Sequence, residues 1–169
     1  MAYFLRFIYK NLDWNRTRFS SWLKEDELPA CIIKDLRADD NALSLWEISD
    51  DKSNLLDVIA AFASESRNDI KNDWNFALLS SKYLDEVSFA PSEMPAKTAY
   101  TSMNHYHRSV PNLSINKVVY FAYLLSRHGK FDTKSWKEVE ARLTEVNSRG
   151  QLNIKRIKSS KLKQRLEYA

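Results

Sequence analysis

Glycine and cysteine are nearly missing from this sequence: 169 residues hold two glycines, Gly129 and Gly150, and one cysteine, Cys31. Phosphate-cradling loops, dinucleotide-binding turns and the GxSxG nucleophile elbow all need closely spaced glycines. None can be written here, so nucleotide chemistry by those routes is excluded. A lone cysteine forbids an internal disulfide and any zinc site that takes two cysteines from one chain. Cys31 sits in PACII, where a thiol behaves as a small buried hydrophobe. Long apolar runs are lacking too. VVYFAYLL, residues 118–125, is eight residues long, against the roughly 20 of a membrane-spanning helix. Arg6 interrupts the apolar start MAYFLRFIYK, which therefore does not read as a signal peptide. These absences lead us to expect a soluble cytoplasmic protein with no membrane partner and no cofactor.

What is present is enough to build a core. Hydrophobic residues make up 44% of the chain and aromatic residues 12%, and large rings bury much area per residue. YFLRFIY (3–9), ALSLWEI (42–48) and WNFALLS (74–80) are β-branched or aromatic and bounded by turn-forming residues, so each is expected to be a strand. Between them, Pro29 opens a short helix over 29–36. Asp51 or Ser53 caps a helix whose stripe is Leu55, Leu56, Ile59, Phe62 and Ala63. SKYLDEV adds a short helix after the third strand. FAPSEMPAKTAY, with Pro91 and Pro95, cannot continue either period and reads as a linker.

Beyond it the pattern is helical. Ser114 caps INKVVYFAYLLSRH, apolar nearly all round, and Gly129 ends it in a left-handed conformation. Thr133 or Asp132 caps a second helix with Trp136, Val139, Leu143 and Val146 on one face, and Gly150 stops it. The expected fold is α+β or α/β. A small three-stranded sheet with two covering helices fills residues 1–90, a loop or linker follows at 91–110, and a helical hairpin at 111–150 packs on the sheet. Residues 151–169 form a basic tail.

Charge is unevenly spread. Residues 25–90 carry fifteen acidic and six basic side chains, whereas residues 151–169 carry six basic and one acidic. The net +4 of the whole chain therefore resides in the tail, through Lys155, Arg156, Lys158, Lys161, Lys163 and Arg165. Cations in such a run bind phosphate backbones without sequence preference. Leu152, Ile154, Ile157, Leu162 and Leu166 are interleaved with them, and apolar residues at these spacings suit an element that lays one face on protein, including the acidic 25–90 region of its own or a second chain. Near the N-terminus, Arg16 and Arg18 alternate with Trp14, Phe19 and Trp22, which could stack bases and contact phosphates or could be core rings with solvated arginines between them. Reading 133–149 as a recognition helix with the tail as a wing would carry Glu138, Glu140 and Glu145 towards phosphates, which is unfavourable.

Other groups are weaker candidates. His105 and His107 would share a face if extended and could ligate a metal, but no third ligand lies nearby in sequence. His128 beside Gly129 suits a helix C-terminus. Glu25-Asp26-Glu27, Asp39-Asp40 and Asp50-Asp51 fall where turns and caps want carboxylates. The expected function is a non-enzymatic interaction protein, an accessory or regulatory subunit that binds a larger protein partner or self-associates. The alternative is a nucleic-acid-binding accessory protein using the tail with Arg16 and Arg18. A metal-dependent hydrolase built on His105 and His107 is a third and weaker reading.

Overall fold

The computed structural model describes residues 2–8, 14, 36, 42–66, 73–85 and 89–168. Arg16, Arg18, Cys31, the 29–36 helix apart from Leu36, and the acidic clusters at 25–27 and 39–40 lie outside the described residues. Six strands, β1 (Tyr3–Phe7), β2 (Leu43–Ile48), β3 (Trp74–Ser80), β4 (Ser92–Glu93), β5 (His107–Val110) and β6 (Lys130–Lys134), form one sheet in the order β4-β5-β2-β1-β3-β6. Every pairing is antiparallel. Helices α1 (Leu55–Ala63), α2 (Ser81–Asp85), α3 (Ile115–His128), α4 (Trp136–Ser148) and α5 (Ser160–Glu167) complete the described architecture with short 3-10 turns at Thr101–Tyr106 and Ile154–Arg156.

The class is α+β, but the three-stranded sheet and the helical hairpin need correction. β4, β5 and β6 double the sheet, and β6 stands between the two long helices. Crossing the sheet edge at β6 sends α3 to one face and α4 to the other, so they form no hairpin. The side-chain period of two explains the layers. Leu5 lies opposite both Trp46 and Leu78, and these three share a core with Ile48, Phe76, α1 and α4. Phe4 and Leu79 are partners on the other face, where Leu43, Leu45, Ala77, Trp14 and Leu36 pack with Phe121, Ala122, Leu124 and Leu125 of α3.

In α1, Val58, Ile59, Ala60, Ala61 and Ala63 are all buried, because the helix lies between the sheet and α4. α4 shows only Val139, Leu143 and Val146 buried, the stripe expected of a surface helix. Its cap is Ser135, whose Oγ accepts from the Glu138 amide while the Glu138 carboxylate accepts from the Ser135 amide. Thr133 and Asp132 do not cap it, because they belong to β6. The Ser135 hydroxyl donating to the Glu138 carboxylate at 2.7 Å, the Ser135 amide at 2.9 Å and Lys134 at 3.2 Å together lower the Glu138 carboxyl to about 2. α3 is less enclosed than its composition suggests: Ile115 is 73% exposed, and Val118, Val119, Tyr120 and Tyr123 are half-buried.

Gly129 is not left-handed; its φ is −66°. Glycine is needed because a Cβ there would stand 2.4 Å from the Leu125 carbonyl oxygen. Gly150 does adopt a positive φ, 69°, and turns the chain out of α4 towards α5.

Candidate functional site

The six C-terminal cations stand on a segment that is folded against the chain's own core. Leu152, Ile157, Leu162 and Leu166 are each no more than 8% exposed and join the core beneath α1 and α4. Residues 153–157 make a 3-10 turn pinned by the Asn153 amide donating to Ala99 O at 2.9 Å. Ser159 then caps α5, its buried Oγ accepting from the Leu162 amide at 3.2 Å. At the far end Asn147 Nδ2 donates to Leu166 O at 2.7 Å. Leu162 and Leu166, four apart, face inward, which turns Lys161 and Arg165 outward on the same helix.

Charge pairing helps hold this segment. Lys158 bridges to Glu65 just after α1, and Arg165 reaches Glu140 of α4 at 2.8 Å. Lys163 lies 4.0 Å from Glu167. Such surface pairs each contribute little, so burial of the four aliphatic side chains dominates the docking. Lys155, Arg156 and Lys161 are exposed, as are Lys158 and Arg165, whose charges are met by Glu65 and Glu140. The structure thus brings Lys155, Arg156, Lys158, Lys161, Lys163 and Arg165 onto one short segment. Sequence reasoning missed Glu65 and Glu140, whose pairing depends on tertiary placement. The four-residue spacing of Leu162 and Leu166 behind Ser159 was the readable sign of the helix.

A second polar cluster braces α1 to α4. Arg142 donates bidentately to Asp57, Nε to Oδ1 at 2.6 Å and Nη2 to Oδ2 at 2.9 Å. It also donates to Glu145 at 2.6 Å, and the Tyr100 hydroxyl donates to Asp57 Oδ1 at 3.1 Å. Burial and the Asp57 charge push the Tyr100 phenol above its usual range. Ser53, Leu56, Asp57, Glu138, Arg142 and Glu145 line a shallow open groove of about 460 Å³ here. Glu138 stands four residues before Arg142, but Asp57 and Glu145 take the guanidinium.

The two histidines of NHYHRS part company. His105 is exposed and lies 4.0 Å from the Tyr106 ring. His107 has both nitrogens occupied, Nε2 by Ser44 Oγ at 2.5 Å and Nδ1 by Met94 O at 2.5 Å, so neither nitrogen is open to a metal. Among the described residues, no group of three or more His, Cys, Asp or Glu could hold a metal ion. His128 stacks on Tyr83 at 4.1 Å, and Asp51 forms a turn by accepting from Ser49 Oγ at 2.7 Å and the Ser53 amide at 3.0 Å, but neither Asp51 nor Ser53 caps α1, whose N-cap position is Asn54. No helix among the described residues is long and apolar enough to cross a membrane. Comparisons with protein-family models, curated proteins and solved structures returned no match to this chain.

Proposed function

We propose that this protein is an accessory interaction protein that binds a larger, acidic partner through the outer face of residues 151–168. One observation carries the reading: Leu152, Ile157, Leu162 and Leu166 are buried within the chain, so the segment meets solvent with its cations. Fixing those cations on a capped helix and a 3-10 turn lowers the ordering cost that a disordered basic tail would incur on binding. Charge of one sign on a fixed surface also speeds encounter with an oppositely charged partner.

Nucleic acid is the second reading for that partner. The exposed positions Asn153, Lys155, Arg156, Lys158, Lys161, Gln164 and Arg165 are cations and amides, the groups that contact phosphates and sugars. Tyr168, 85% exposed, is an aromatic face on which a base can stack.

The test is fluorescence anisotropy of labelled single- and double-stranded DNA and RNA, and of labelled poly-glutamate, across a salt series. The intact protein is compared with the triple variant K155E/R156E/K161E. Charge reversal is preferable to ending the chain at Gly150, which would bare the core under α1 and α4. Nucleic-acid binding with a steep salt slope, lost in the triple variant, identifies a phosphate-backbone partner. Binding of poly-glutamate alone identifies an acidic protein surface. No binding of either overturns the cationic-surface reading.

A further inference from the structure

We infer that Ser44 is an activated nucleophile, with His107 as its general base, able to take the acyl group of a small carboxylic ester. This is separate from the binding surface above, since Ser44 and His107 lie on β2 and β5 and contact none of the C-terminal cations.

The inference starts from the register. Trp46 is paired with His107 and Ser44 with Ser109, which makes Ser44 and His107 diagonal neighbours on one face of the sheet. That diagonal is closed by a hydrogen bond of 2.5 Å between Ser44 Oγ and His107 Nε2. On the other side of the ring, Met94 O is 2.5 Å from Nδ1. A carbonyl oxygen can only accept, so Nδ1 carries the proton and Nε2 presents its lone pair to the serine hydroxyl. Nucleophile, base and a third group that fixes the base's tautomer are thus in line. The T-shaped contact of the Trp46 indole with the imidazole, 5.1 Å between centroids at 75°, restrains the ring in that orientation. Both Ser44 and His107 are partly exposed, so a small carbonyl compound can reach Oγ. Ser109, directly opposite Ser44, and Ser92, opposite Ser109, continue a polar strip on the same face.

The reaction balances without a co-reactant other than water. Ser44 Oγ attacks the ester carbonyl carbon as its proton passes to His107 Nε2, and the C–O bond to the alcohol breaks as that proton is returned to the leaving oxygen. Water, giving a proton to His107, then attacks the acyl-serine. The carboxylic acid leaves and the proton returns to Ser44. Net, ester and water become acid and alcohol.

The test uses the intact protein with p-nitrophenyl acetate, following nitrophenolate release and locating acetyl groups by peptide mass spectrometry. Acetylation is expected at Ser44 ahead of the other serines, lost in Ser44→Ala and slowed at least about 100-fold in His107→Gln, the lower end of what a positioned base supplies. The rate should also fall with acid. Burial and the neighbouring Arg108 lower the His107 pKa from 6.5, so the midpoint should lie below that value. The charged groups around it are Arg6, which donates to Ser44 O at 2.8 Å, and Arg108 with its partners Glu47 and Glu93. Ser44 reacting no faster than other serines, or His107→Gln reacting like the parent, overturns the inference. Should His107→Gln lose its fold by circular dichroism, the parent's pH profile decides, and a flat profile overturns it.

Discussion

Replacing Leu166 by alanine tests whether the C-terminal segment is bound to the core as described. Leu166 is 2% exposed and packs in the cluster formed with α1 and α4. Buried Leu→Ala changes cost about 2–5 kcal/mol, depending on how far the site collapses. Leu166 is at the rim, on a helix of eight residues, and such a helix can lift away before the whole chain unfolds. The cost is therefore capped by the free energy that holds the segment down, which places it at the lower end, about 2–3 kcal/mol. With a urea slope of about 2 kcal/mol/M, the unfolding midpoint should fall by about 1 M at unchanged slope. Lys161→Ala, on the outward side of the same helix, should stay within about 0.5 kcal/mol. Hydrogen exchange at the Lys163 amide, which donates to Ser159 O at 3.0 Å, should quicken in Leu166→Ala and not in Lys161→Ala. Equal midpoints for the two variants would refute the docking, and with it the fixed cationic face.

Asp57→Asn leaves Arg142 with Glu145 but removes its bidentate partner across α1 and α4; with side chains 22% and 15% exposed, the loss should be about 1–2 kcal/mol by thermal unfolding, and no change would mean the brace is idle. Ser135→Ala removes the α4 cap and should cost about 1 kcal/mol, read from the same melts. Glu138 is held at about 2 against an ordinary 4.5, so its contribution is fully present above 4.5 and fades as pH falls towards 2. Glu138→Gln should therefore be less stable than the parent at pH 7 and indistinguishable from it near pH 2. A gap that persists at pH 2 would show that the effect is not ionic.

Three strands and the long helices were legible because each carries its own period and boundaries. WNFALLS matches Trp74–Ser80 in full, and the stripe Val139, Leu143, Val146 is buried as its spacing requires. β5 and β6 were not legible, since HRSV and KFDTK are short and polar, and their strand character comes from the neighbours they pair with. Missing β6 moved the cap of α4 to Thr133 and made a hairpin of two helices that lie on opposite faces. The basic segment was legible in charge but not in destination. Its aliphatic spacing announced a docking face, while Glu65 and Glu140, the acids it meets, are remote in sequence. The Ser44 and His107 contact left no sequence trace, because sixty-odd residues separate two ordinary side chains until register places them diagonally.

β1 has a significance beyond its five residues. In the order β4-β5-β2-β1-β3-β6 it is the seam between a three-stranded and a two-stranded half. Its partners, such as Ile48 and Ser80 opposite Tyr3, come from later parts of the chain. The sheet therefore cannot close by local pairing, and the loop-closure entropy of bringing distant segments to β1 must be met before its pairings form. If β1 withdraws, β2 and β3 become open edges at once, and unpaired edges are templates for another chain. A β1 strand freed from a second molecule by partial unfolding would match that gap as well as the chain's own, which is the geometry that strand exchange requires.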